Sequence, residues 1–100
     1  MTAFLGGNAT EPLIAAPIKR LNRFIKNEYK IKVGDVYNYI DLLLFNYQYN
    51  CFVVVELKVT ELKKDHIGQI EVYMNYIDNN LKQVTQDKTI GIIIVKKDNK

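Results

Sequence analysis

Two runs decide how this chain reads: Tyr39-Ile40-Asp41-Leu42-Leu43-Leu44-Phe45 and Cys51-Phe52-Val53-Val54-Val55-Glu56-Leu57-Lys58. They are joined by the polar interval Asn46-Tyr47-Gln48-Tyr49-Asn50. Both are rich in the large and β-branched apolar residues that favour strands. Both also carry charge where a buried strand should have none, because charged side chains are almost never fully buried unless paired or bound to a metal. A tight polar connection predicts a hairpin, and counting back from it sets Asp41 opposite Glu56. Side chains alternate along a strand, so Glu56 and Lys58 share a face with Phe52 and Val54, while Val53, Val55 and Leu57 fill the other.

Two carboxylates meeting in apolar surroundings repel each other unless a cation lies between them. A small set of hard oxygen ligands suits Mg²⁺, which keeps waters and takes one or two carboxylates plus phosphate oxygens from a substrate. Lys58, beside such an ion, is placed to hold an attacking water or to stabilise charge developing on phosphoryl oxygens.

Downstream, residues from Glu61 to about Val84 read as the main helix. Ile67, Ile70, Met74, Ile77 and Leu81 form one apolar stripe at helical spacing. Gln69 and Tyr73, four apart, lie together beside that stripe, which sets both at the edge of the carboxylate cluster. Lys63 and Lys64 read as solvated helix surface, with contact to a DNA backbone as the functional alternative. His66 reads as an exposed polar residue, or as a phosphate contact. Thr89 to Val95 is a last strand, apolar on both faces and so central in a sheet.

Upstream, Gly34-Asp35 signals a hairpin turn between a half-exposed strand, Tyr29 to Val33, and the strand Val36 to Phe45. Pro17 opens a helix carrying Ile18, Leu21, Phe24 and Ile25 and ending near Glu28, with Thr10-Glu11-Pro12 as an earlier start. Its basic residues Lys19, Arg20, Arg23 and Lys26 read as a solvated face. Residues 1–16 read as a loose leader, interrupted by Gly6-Gly7-Asn8, and residues 17–100 as a single domain.

Bulk properties bound the rest. One hundred residues, 48% hydrophobic and 25% charged, make one modest core. No apolar run approaches the roughly 20 residues that span a membrane, and the start lacks a signal-peptide pattern. The single Cys51 excludes an intrachain disulfide and suits the reducing cytoplasm. With no base indicated nearby, Cys51 reads as a small core residue rather than a nucleophile. A net charge of +3 permits nucleic-acid binding without arguing for it.

Asp41, then Glu56-Leu57-Lys58, then Gln69-Ile70-Glu71-Val72-Tyr73 resembles the signature of the PD-(D/E)XK nuclease superfamily, with the Q-x-x-x-Y helix motif of its RecB-like members. Tyr39 to Leu43, Val54 to Lys58, Gly68-Gln69, Tyr73-Met74-Asn75 and Gly91 to Ile94 resemble the C-terminal nuclease domain of YhcG-type bacterial proteins. The likeness runs over roughly residues 29–97, and Ile40 stands where proline is common before the aspartate. It implies an α/β, restriction-endonuclease-like core with the order helix-strand-strand-strand-helix-strand and a mixed central sheet. It also implies that Asp41, Glu56 and the Leu57 backbone carbonyl bind Mg²⁺, with Mn²⁺ able to substitute. Lys58 would be the catalytic lysine, and Gln69 and Tyr73 would support the site or the DNA. Many members add an acid from the first helix, for which Glu11 or Glu28 is available.

The expected activity is metal-dependent hydrolysis of phosphodiesters, most readily in DNA, by a homodimer or with a partner recognition domain. Two other readings compete: a weak or inactive nuclease-fold module that binds nucleic acid or a partner, and an α/β interaction module whose strand charges form a structural salt-bridge cluster.

Overall fold

The computed structural model describes residues 2–6 and 22–96. Five strands, β1 (Thr2–Gly6), β2 (Asn22–Val33), β3 (Val36–Asn46), β4 (Cys51–Lys58) and β5 (Ile90–Val95), form one sheet in the order β1-β5-β4-β3-β2. The one helix among the described residues, α1 (Lys64–Asn80), crosses from β4 to β5. That crossover makes β4 and β5 parallel, and β1 joins β5 in parallel, while β2, β3 and β4 are antiparallel. The result is the mixed α/β sheet of a restriction-endonuclease-like core.

The turn between β2 and β3 has two residues, with Gly34 at a φ of +62°. Only glycine takes that conformation without cost, and a positive φ at the first turn position matches the twist of a hairpin. The turn between β3 and β4, residues 47–50, is closed by Asn46, whose Oδ1 accepts the Tyr49 N–H at 2.8 Å. Phe45 and Phe52 face each other across this pair in a T-shaped contact, with ring centroids 5.1 Å apart.

Helix α1 ends where Asp78-Asn79-Asn80 weakens it, and Leu81 and Lys82 both donate to the Ile77 carbonyl. Its buried residues, Ile70, Tyr73, Met74 and Ile77, pack on Leu43, Val54, Ile93 and Val95, and the same cluster takes in Ile31 and Ile40. Gly91 makes this packing close: a Cβ there would lie 2.5 Å from Met74 Sδ and 3.2 Å from Ile70 Cδ1. The other sheet face buries Leu44, Val53 and Val55 beside Leu42, Ile90, Ile92 and Ile94. Asp78 Oδ1 fastens the helix end to the sheet by accepting both the N–H and the hydroxyl of the buried Thr89.

Two expectations are corrected. The helix from Pro17 to Glu28 does not extend over its described part, because residues from Asn22 onward are strand. Apolar residues at positions 24 and 25 fit a helical stripe, but Phe24 is 59% exposed and joins no stripe. The segment instead pairs with β3, from Asn22↔Asn46 to Asn27↔Leu42, with a bulge between Phe24 and Lys26. Tertiary pairing overrides the weak local preference. The loose leader is also not loose throughout, since Thr2–Gly6 adds an edge strand to β5. The Thr10-Glu11-Pro12 helix start, Glu11 itself and the boundary at residues 16 and 17 lie outside the described residues.

Candidate active site

The ladder between β3 and β4 runs regularly from Asn46↔Cys51 to Leu42↔Val55 and then stops. One residue further on, side chains replace backbone partners. The Asp41 N–H donates to Glu56 Oε2 at 2.9 Å, and the Leu57 N–H donates to Asp41 Oδ2 at 2.8 Å. Each carboxylate thus receives a backbone N–H from the opposite strand, where the backbone pairing has ended. The remaining oxygens, Asp41 Oδ1 and Glu56 Oε1, accept no hydrogen bond from the described residues.

Irregular backbone accompanies the splay. The ladder between β2 and β3 pairs Asn27 with Leu42 and Tyr29 with Ile40, passing over Glu28 and Asp41. Glu28 has a φ of +49°, the left-handed region that glutamate rarely enters. Ile40 and Leu43, three residues apart, are buried in the same cluster, so strict alternation along β3 is broken at Asp41.

Glu56 is only 4% exposed. Burial pushes its carboxyl from 4.5 up to about 7; the nearby Asp41 charge adds to the rise, while the Asp41 N–H and Lys58 oppose it. Helix α1 packs against this end of β4 and completes the cluster. Lys58 Nζ donates to Gln69 Oε1 at 3.3 Å. Tyr73 is buried, and its hydroxyl is pushed up by burial and by the Glu56 and Asp41 carboxylates, against a Gln69 side-chain hydrogen bond. Asp41, Glu56, Lys58, Gln69 and Tyr73 therefore form one cluster, built by two strands and the helix.

Other candidate residues fall around it. Leu57 lies between Glu56 and Lys58 with its side chain 59% exposed. Lys63 and Lys64 are exposed at the start of α1. His66, expected to be exposed, is half-buried, and its Nδ1 accepts the Lys63 N–H at 3.1 Å, so it caps the helix. Glu28 is exposed in β2 rather than at the end of a helix. Cys51 is buried, and its thiol is pushed up first by burial, then by Asp87 and Asp78, which suits a core residue.

Reading from the sequence missed the backbone N–H groups of Asp41 and Leu57 as partners, since nothing in residue identity marks where a ladder opens. It also missed that Glu28 stands level with Asp41. A count out from the Gly34-Asp35 turn reaches both positions and could have found that.

Among the described residues no three His, Cys, Asp or Glu side chains gather in a group able to hold a metal ion, so the carboxylates here are a pair. No described helix is long and apolar enough to cross a membrane.

Comparison with known proteins extends the geometry. No solved structure gives a significant match. The protein of Escherichia coli (strain K12) named "Putative nuclease YhcG" is 25% identical over 71 residues, which is 71% of this chain and 19% of that protein. The chain therefore spans about a fifth of the length of that curated relative. The family model described as the YhcG PDDEXK nuclease domain matches residues 18–100, a range that contains the paired carboxylates, the lysine and the glutamine-tyrosine helix face. With most of its length inside that match, the chain belongs to the YhcG PDDEXK nuclease domain family.

Proposed function

We propose that this domain hydrolyses phosphodiester bonds in DNA with a divalent cation, Mg²⁺ or Mn²⁺, held at Asp41 and Glu56. The observation that carries the reading is the exchange at the strand splay. Both carboxylates use one oxygen on a backbone N–H of the other strand and keep one oxygen without a hydrogen-bond partner among the described residues. A structural salt-bridge cluster would instead pair the acids with Lys58, yet that amine donates to Gln69.

The donor set fits a hard cation. Two carboxylate oxygens and the Leu57 carbonyl are hard ligands, and the remaining positions suit water and substrate phosphate oxygens. Burial drives the Glu56 carboxyl up to about 7 even though the Lys58 charge opposes the rise, and a bound cation would offset that penalty. Such an ion, when bound, polarises a phosphoryl oxygen and lowers the pKa of a coordinated water.

The chain's own residues do the rest. Asp41 and Glu56 are fixed by their backbone partners, so they present their remaining oxygens without reorganising. Lys58, oriented by Gln69, would hold the attacking water or offset the charge that grows on phosphorus oxygens as the ester bond breaks. Tyr73 backs Glu56 and keeps bulk water from that side. Lys63 and Lys64 offer charge to the DNA backbone. A domain of this size covers little of a duplex, which favours a homodimer or a partner recognition domain, and the lone buried Cys51 suits the cytoplasm.

The test is cleavage of plasmid and single-stranded DNA with Mg²⁺ or Mn²⁺ by wild type, Lys58→Ala and Glu56→Ala. Loss of cleavage in both variants, with circular dichroism unchanged, supports the reading. A wild type that neither cuts DNA nor binds Mn²⁺ would overturn it and leave a nuclease fold kept for binding.

A further inference from the structure

We infer that the distal part of the β2–β3 hairpin is a stacking platform for a single-stranded polynucleotide, formed by Tyr37 and Tyr39 with Lys30 and Lys32. Beyond Asp41 the hairpin runs on past the end of its pairing with β4, as an arm that ends at Gly34-Asp35. Tyr29, Ile31 and Val33 turn one side of this arm into the core cluster. Alternation sends Lys30 and Lys32 to the other side, where they pair across the strands with Tyr39 and Tyr37.

The exposed side is therefore two tyrosines and two lysines in a checkerboard. Tyr37 and Tyr39 are 55% and 52% exposed, two large rings on one strand face. Lys30 Nζ lies 4.2 Å from the Tyr37 ring centroid, and Lys32 Nζ lies 5.7 Å from it. Neither lysine has a carboxylate partner among the described residues. Two cations gathered over one ring without an acid match the charge of a phosphodiester chain. Flat rings two residues apart, roughly 6.6 Å along a strand, match bases that are already unstacked. A duplex hides its base faces and gives such rings little to stack on. On binding, a base would take the ring face that Lys30 now covers, releasing the amine to a phosphate.

The platform starts two residues from Asp41 along β3, on the sheet face away from the core cluster that holds Val54 and Tyr73. This rests on the nuclease reading only for the substrate being a polynucleotide.

The experiment is an anisotropy titration in EDTA, where nothing is cut, of the full chain against a labelled DNA single strand, the same sequence as RNA, and the DNA duplex. Threonine keeps the preference for strand while removing the ring. Tyr37→Thr and Tyr39→Thr should each weaken single-strand binding by roughly 5- to 150-fold, and phenylalanine at either position should restore it. Lys30→Gln with Lys32→Gln should reduce the salt slope by about 1.4. Equal effects on DNA and RNA assign stacking alone, whereas a larger effect on one names the preferred strand. Threonine variants that remain folded by circular dichroism and bind single strands as wild type does would overturn the platform. So would a loss that is just as large for the duplex. Tyrosine-dependent binding by a chain that neither cuts DNA with Mg²⁺ or Mn²⁺ nor binds Mn²⁺ would sink the nuclease reading and leave the platform standing; carboxylate-dependent cleavage without tyrosine dependence would do the reverse.

Discussion

The β3–β4 pair has two ends that solve the same problem differently. At the turn end, backbone N–H groups leaving the ladder meet a neutral amide, Asn46, and the loops close on one another through Asn50 and Thr85. At the splayed end the N–H groups of Asp41 and Leu57 meet carboxylates. Stability alone would favour neutral acceptors at both ends, because an amide does the work without the cost of a buried charge. The charge at one end is therefore in excess of what the fold requires. That excess is where chemistry is to be sought.

Exchanging charge for its neutral isostere breaks the comparison most strongly. Asp41→Asn and Glu56→Gln keep an oxygen to accept the same N–H, so the fold should survive while cleavage falls on the order of 100-fold or more. Steady-state cleavage of a fluorogenic oligonucleotide with Mg²⁺, beside a thermal melt of each variant, reads both effects. Similar activity in the neutral variants would mean that the carboxylates serve only the backbone.

How much of this was legible beforehand follows from the same two ends. The turn end was readable because Asn46 to Asn50 is polar and short and the flanking runs are apolar. Register then followed by counting, which set Asp41 opposite Glu56. The helix was readable from the stripe of Ile70, Met74 and Ile77, and Gln69 and Tyr73 came with it. The opening of the ladder was not readable, because it depends on side chains displacing backbone partners, which spacing does not encode. Residues 22–28 were misread for another reason. Phe24 and Ile25 continue the helical spacing of Ile18 and Leu21, and pairing with β3 decides between helix and strand only in the folded chain.

The cost of the charge can be measured in the metal-free protein. The Glu56 carboxyl is raised from 4.5 to about 7 in the fold, so the folded state holds the proton more tightly than the unfolded chain. This stabilisation is complete below pH 4.5 and is lost as pH rises through 7, by about 3 kcal/mol across the window. Urea unfolding in EDTA from pH 4.5 to 8 should show that decline, and Glu56→Gln should flatten it and be the more stable protein at pH 8. Added Mn²⁺ should restore stability to the wild type and not to the glutamine variant.

The turn end offers the matching control. Asn46→Ala removes the acceptor of the Tyr49 N–H, which is close enough to the surface for water to replace it. The expected loss is about 1 kcal/mol by urea titration, with cleavage per folded molecule unchanged. A loss of activity there would mean that the two ends are mechanically coupled through β3.

The smallest effect tests how the splay is built. Glu28 stands level with Asp41 at a φ of +49°, a conformation that costs an ordinary side chain roughly 1–2 kcal/mol. Glycine takes it freely but loses about 0.5–1 kcal/mol to the greater freedom of the unfolded chain. Glu28→Gly should therefore stabilise the domain by about 0.5–1 kcal/mol, seen as a small rise in melting temperature. If the kink matters only as backbone geometry, cleavage should stay at the wild-type level in Glu28→Gly and fall in Glu28→Val, whose branched side chain resists a positive φ. If cleavage falls in the glycine variant while stability rises, the Glu28 carboxylate itself serves the site, and the pair at the splay is completed by a third acid from β2.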